Sequence, residues 1–298
     1  MRISTVLVLF FSMLACNTCG ALRRKPGAGK YSDHKINVAD RERSYIRYAP
    51  AGGTPRAVLI LLHGGGGKAS SMIRQAVGMP ELADRHGILL LYPEGVGGHW
   101  NDGRGDISEA ARTGVDDVGF MRALVAEEAS KRDIRRVFAA GMSNGGMMAQ
   151  RIACDLSDVI AGVASVAANL PVELEKNCRP AQPVRVMFIA GMADPIVPYG
   201  GGPIKVLRNE RGVVLSIEES LGFWRERLQC RAGSDEVMTA NSVRRKYSCP
   251  AGGLTLIAVK NGGHAWPGGS PYMPEFVIGK TSNEFSASEK IVEVLLQF

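Results

Sequence analysis

Residues 136–150, RVFAAGMSNGGMMAQ, constrain this chain more than any other stretch. Residues 137–140 are a short apolar, β-prone run. Gly141-Met142-Ser143-Asn144-Gly145 interrupts it, and 146–153 reads as the start of a helix. A G-x-S-x-G pentapeptide between strand and helix is the setting of a nucleophile elbow. A side chain at position 141 or 145 would collide where strand and helix pass closest, and the serine occupies a strained turn. Such a turn lifts Ser143 Oγ clear of a sheet. It also brings the Asn144 N–H to a helix N-terminus, where developing negative charge is stabilised. A chain with 36 glycines can produce the pentapeptide by chance. Its weight therefore comes from the strand–turn–helix context and from partners elsewhere.

The surrounding pattern supplies that context. Residues 57–62 are a continuous apolar run of the kind buried on both faces of a parallel sheet, and 88–92, 184–189 and 254–259 read as further core strands. Helical spacing recurs between them: 80–86, a helix entered through Val115-Asp116-Asp117 and running to about Arg132, and the stripe Ile217, Leu221, Trp224, Leu228. Residues 36–38 and 45–48 alternate around a polar turn and predict an opening hairpin. A last helix starts near Ala287, with Ser286 and Glu289 spaced as a capping box. Strands alternating with helices predict an α/β protein, a mostly parallel sheet with helices on both faces, in one domain. The first buried run leads directly into His63-Gly64-Gly65-Gly66-Gly67. Glycines there leave backbone N–H groups open to whatever docks, as the second half of an oxyanion hole requires.

Ser143 needs a base, and the base an orienting carboxylate. In open α/β sheets ligands sit at strand C-termini. Asp194 ends one predicted strand and His264, in Gly-Gly-His-Ala-Trp, ends the next; His264 alone of the five histidines follows the serine. Asp116, Asp117 and Asp235 are the competing acids, the first two preceding the serine and the third lying in a polar stretch. Residues 94–114 form a long polar, glycine-rich loop carrying His99, Trp100, Asn101 and Asp102. Trp100 and Trp266 are the side chains expected to line a substrate pocket, with packing of their loops as the alternative.

The net charge of +7 is scattered and lacks the stacking aromatics or groove-reading motifs of a nucleic-acid binder. Residues 1–21 read as an export signal: Arg2, an apolar core at 3–14 too short to span a bilayer as a mature helix, then small residues. Two processing routes fit. Met13-Leu14-Ala15-Cys16 is similar to a lipoprotein signal with Cys16 as lipid anchor, and Cys19-Gly20-Ala21 suits an ordinary signal peptidase. Residues 22–33 read as a tether, and 34–298 as the catalytic domain. The destination is then secreted, extracellular or periplasmic, or a lipoprotein on a membrane. Export leaves Cys154, Cys178, Cys230 and Cys249 in an oxidising compartment, so two disulfides are expected, with the local pairing taken among three connectivities. A zinc site is the rival, without C-x-x-C or paired His spacing to support it. No metal and no cofactor is expected.

LHGGGG at 62–67, YPEG followed by WNDG, VDDVGF at 115–120, GMSNGGMM, ADPIVPYGGG and NGGHAWPGG occur in this order. Together they resemble the polyhydroxybutyrate depolymerase and feruloyl esterase family of secreted α/β-hydrolases, from about residue 34 to the C-terminus. The resemblance implies a Ser143–Asp194–His264 triad, with oxyanion donors from Gly64, Gly65, Gly66 and Asn144. It implies a serine carboxylic-ester hydrolase acting on small-molecule or oligomeric esters. The family's polymer-degrading members carry a Ser/Thr-rich linker and a polymer-binding domain, neither of which is visible here. The expectation therefore leans to feruloyl-type or other soluble esters. Polyhydroxyalkanoate depolymerase is the alternative, and a non-catalytic hydrolase-fold surface binding protein the further one.

Overall fold

The computed structural model describes residues 28–207 and 209–297. The expected export signal and the Cys16 anchor lie outside the described residues, as does the first part of the tether. Twelve strands are described: β1 (Lys30–Val38), β2 (Arg41–Ala49), β3 (Ala57–Leu62), β4 (Ile88–Pro93), β5 (Arg136–Met142), β6 (Gly162–Val166), β7 (Arg185–Gly191), β8 (Gly202–Val206), β9 (Asn209–Val214), β10 (Gly233–Thr239), β11 (Ser242–Tyr247) and β12 (Gly253–Val259). The described α-helices are α1 (Ala69–Gln75), α2 (Met79–His86), α3 (Glu109–Arg112), α4 (Asp117–Lys131), α5 (Asn144–Asp155), α6 (Val172–Asn177), α7 (Ile217–Arg227), α8 (Glu275–Ile278) and α9 (Ala287–Leu295).

Ten strands form one sheet in the order β1-β2-β4-β3-β5-β6-β7-β12-β11-β10. The six from β4 to β12 are parallel, and antiparallel hairpins extend each edge. This is the mostly parallel sheet that the buried apolar runs predict. Because side chains alternate across a strand, β3 feeds two cores. Val58, Ile60 and Leu62 pack with Phe120 and Leu124 of α4, Ile152 of α5 and Trp224 of α7. Leu59 and Leu61 pack with Met72 of α1, Leu82 of α2 and Ile291 of α9. Helices therefore cover both faces, and the middle strands are sealed from water.

Several elements differ from the sequence reading. Strand β1 begins at Lys30, so the last four residues of the expected tether are strand, paired with β2 as far as Lys30 opposite Ala49. The hairpins β8–β9 and β10–β11 were not expected, because their residues are polar and mostly exposed and lack an apolar run. The long polar loop is partly ordered by a 3-10 turn at Val96–Gly98 and by α3, whose cap Ser108 accepts from the Ala111 N–H.

The chain leaves β3 for β4 on one side and returns to β5 on the other, so the strand order reverses between β3 and β5. Such a switch point opens a crevice beyond the strand C-termini. Two disulfides brace the helices and one edge: Cys154–Cys178 ties α5 to the end of α6, and Cys230–Cys249 closes the ends of the β10–β11 hairpin.

Candidate active site

Ser143 stands at the switch point, at the C-terminal end of β5, as the residue preceding α5. Its backbone has φ 55° and ψ −122°, a conformation that non-glycine residues seldom occupy, and its N–H is tied to Val166 O at 2.9 Å. The flanking glycines explain how the turn fits. A Cβ on Gly141 would lie 2.3 Å from Gly145 O, and one on Gly145 would lie 2.3 Å from Leu62 O. Strand β5, helix α5 and the end of β3 touch backbone to backbone at this point.

The glycine run after β3 lies against the elbow. A Cβ on Gly64 would sit 3.6 Å from Ser143 Cβ, and one on Gly65 would sit 3.7 Å from Asn144 Cβ. His63 holds the run in shape. Its ring is fully buried, with Nδ1 2.8 Å from Gly64 O and Nε2 accepting the Gly95 N–H at 3.0 Å. A carbonyl only accepts, so Nδ1 carries the proton and Nε2 the lone pair. Burial, with His99 nearby, lowers the His63 pKa to about 4. In a trans peptide the C=O and the following N–H point in opposite directions. Drawing Gly64 O onto His63 therefore turns the Gly65 N–H away from the buried ring. Gly66 N–H is engaged with Gly98 O at 2.8 Å, and Gly67 N–H with Gly64 O. Gly66 is thereby removed from the expected donor set, leaving Gly64, Gly65 and Asn144.

Asn144 is buried, and its side chain is locked by the long loop. Oδ1 accepts the Trp100 N–H at 2.8 Å, while Nδ2 donates to Trp100 O and to Asp102 Oδ2. Asp102 is also held by Arg104, whose guanidinium continues to Arg211 O. The sequence reading missed this clamp; its only trace was the W-N-D run in that loop. Its anchor further along is the buried Asp117–Arg43 pair, Asp117 also accepting the Asn101 N–H.

Asp194 and His264 lie just beyond the ends of adjacent strands β7 and β12. His264 Nδ1 is 2.8 Å from Asp194 Oδ2, and both side chains are buried. Asp194 Oδ1 accepts two backbone N–H groups, from Ile196 at 2.8 Å and Val197 at 2.9 Å. A carboxylate held by two N–H donors and one imidazole has a fixed orientation, and it fixes the ring in turn. The competing acids are engaged elsewhere: Asp116 caps α4 through the Gly119 N–H, Asp117 binds Arg43, and Asp235 pairs with Arg245 on the surface.

The two tryptophans are corrected. Trp100 is fully buried, donates its indole N–H to His63 O at 2.9 Å and packs on the His63 ring. Trp266 is 2% exposed and donates to Ser288 Oγ. Both indoles found interior hydrogen-bond partners and pack their loops; neither lines an open pocket. Tyr272 instead stands at the surface, edge-on to His264 with ring centroids 6.5 Å apart. Burial and then the Asp194 charge raise the pKa of its phenol, keeping it neutral.

Residues 43–196 match the family model described as Esterase PHB depolymerase. NocK, an inferred esterase of Nocardia uniformis subsp. tsuyamanensis, is 33% identical over 96% of this chain and 88% of its own. Feruloyl esterase B of Piromyces equi is 29% identical over 60% of this chain, a match spanning 34% of that longer protein. Among solved structures, an acetyl xylan esterase from Aspergillus awamori superposes with a TM-score of 0.57 at 13% identity, covering 78% of this chain and 94% of its own. At that identity the likeness speaks for the fold, that of α/β-hydrolases.

Proposed function

The chain belongs to the esterase PHB depolymerase family and is a carboxylic ester hydrolase; from that premise we propose that Ser143, His264 and Asp194 are its catalytic triad. The observation that carries the reading is the buried His264–Asp194 pair at the same sheet edge as a serine held on a strained elbow. Ser143 Oγ attacks the ester carbonyl as His264 Nε2 takes its proton, and Asp194 stabilises the imidazolium through Nδ1–H. The tetrahedral oxyanion is met by the Asn144 N–H and by Gly64 or Gly65. His264 returns the proton to the leaving alcohol, and a water molecule repeats the sequence on the acyl-enzyme to free the acid.

Soluble esters of the feruloyl type are the proposed substrates, supported by the feruloyl esterase names among the relatives. Hydroxyalkanoate oligomers are the second reading, which the family description favours. Two disulfides support export to an oxidising compartment, with the catalytic domain starting at β1. Ser143→Ala tests the mechanism. Turnover of p-nitrophenyl acetate is expected to fall at least about a thousandfold, with unchanged circular dichroism and loss of labelling by a fluorophosphonate probe. A folded variant that keeps its activity excludes Ser143 as the nucleophile.

A further inference from the structure

His99 has no part in the reaction just described, yet it borders the oxyanion loop. A Cβ on Gly65 would lie 3.3 Å from His99 Cδ2 and 3.4 Å from Nε2, so the outer edge of the ring faces that glycine. Asn144 borders Gly65 as well, and Gly65 therefore lies between the two. The backbone of His99 is fixed by its N–H to Val96 O at 3.1 Å, and by Gly95, where any Cβ would strike His99 O. The ring itself is oriented by Nδ1, 2.9 Å from Gly97 O. A carbonyl oxygen can only accept, so Nδ1 carries the hydrogen and the neutral ring presents a bare lone pair at Nε2. Among the described residues, Nε2 has no hydrogen-bond partner. His63 shows the contrast: it has the same tautomer, but its Nε2 is consumed by the Gly95 N–H and sealed in the interior.

We infer that His99 is a specificity-determining residue whose Nε2 accepts a hydrogen bond from a substrate hydroxyl close to the scissile ester. The inference rests on the esterase reading above and adds to it the feature the substrate must carry. A carbonyl oxygen seated between Asn144 and the glycine loop brings the groups on the carbonyl carbon past Gly65 and against His99. An acceptor there is matched by a donor within a few bonds of the ester. That donor is either a hydroxyl on the acyl chain or one on the carbon beside the ester-bearing carbon of a polyol or sugar. An ester with a methyl group in that place leaves Nε2 facing an apolar partner and forfeits the hydrogen bond.

Two matched ester pairs separate the two sources. Methyl 3-hydroxybutyrate against methyl 3-methylbutyrate probes the acyl side, and 2-hydroxyethyl butyrate against propyl butyrate the alcohol side. The wild-type enzyme is expected to favour the hydroxylated member of one pair by about five- to tenfold in kcat/KM. His99→Phe, which keeps a flat ring without the nitrogen, should bring that ratio to within about twofold of unity. His99→Gln, whose amide oxygen can accept the same proton, should retain most of it. A role confined to packing the loop would lower both members of a pair together and leave the ratio untouched. Fluorophosphonate labelling of Ser143 verifies that each variant is folded, and the wild-type ratios need no variant at all. Turnover without preference in either pair, or a preference that survives in His99→Phe, overturns the assignment. Absence of turnover of all four esters would instead count against the esterase reading beneath it.

Discussion

A buried imidazole at position 63 gives this protein a measurable dependence on acid. Free in the unfolded chain, the ring has a pKa of about 6.5; folded, burial brings it to about 4. Between these values the unfolded chain takes up a proton that the folded one refuses, so stability falls as the pH drops from about 6.5 toward 4. The bond geometry agrees, since a proton on Nε2 would face the Gly95 N–H donor. At pH 4.5 the loss amounts to about 2.5 kcal/mol relative to neutral pH. Urea unfolding of wild type and His63→Gln at pH 7.5 and 4.5 measures it, because other groups titrate in both proteins and cancel. The variant should lose less stability on acidification by about that amount; equal losses would mean that His63 is not held neutral. At this scale the sequence offered candidates where motif and chain order restrict the choice, and misled where a side chain can face either way. Ser143, Asp194 and His264 were singled out by motif and order, and their catalytic roles are what the Ser143→Ala experiment tests. Trp100 and Trp266 were misassigned because a tryptophan beside a motif can turn outward to ligand or inward to a carbonyl or hydroxyl. Only the fold showed His63 O and Ser288 Oγ waiting for them.

Among the secondary-structure elements, the elbow is where backbone geometry leaves least choice. Gly145→Ala would put a methyl group 2.3 Å from Leu62 O, a main-chain atom that cannot swing aside. It should cost about 4 kcal/mol or more and depress the yield of soluble protein. Gly222 is the opposite case: it sits inside α7, and a Cβ there meets nothing within 4 Å. Gly222→Ala should therefore add about 0.5–1 kcal/mol by restricting the unfolded chain and favouring helix. Thermal unfolding of both variants checks the pair, and a stabilised Gly145→Ala would contradict the close-contact account. The legible elements were those sealed on both sides. Strands β3 and β4 announce themselves as uninterrupted apolar runs, β7 and β12 as runs with a single polar residue, Arg185 and Thr255, and their limits in the structure lie within two residues of the predicted ones. The β8–β9 and β10–β11 hairpins were silent because they face water. GSDEVMT and SVRRKY carry the charges of an exposed sheet edge, with Asp235–Arg245 and Glu236–Arg244 pairing across it.

For the whole molecule, the topology draws together residues far apart in sequence. Leu62 faces Gly141 across the β3–β5 pair, and Val259 faces Gly191 across β12–β7. The glycine loop, Ser143, Asp194 and His264 thus all emerge at one rim of one sheet. The rigid interior around that rim also holds Ser143 in a conformation that would otherwise relax. Glycine has no Cβ and adopts positive φ without that penalty, so Ser143→Gly should raise the melting free energy by about 1–2 kcal/mol while abolishing turnover. Differential scanning calorimetry tests this, and a variant that melts below wild type would show that the turn is relaxed as serine. If it melts higher, natural selection for catalysis and selection for durability pull opposite ways at this single codon. A population propagated only for resistance to heat, with no ester to digest, should drift toward a sturdier protein that has stopped being an enzyme.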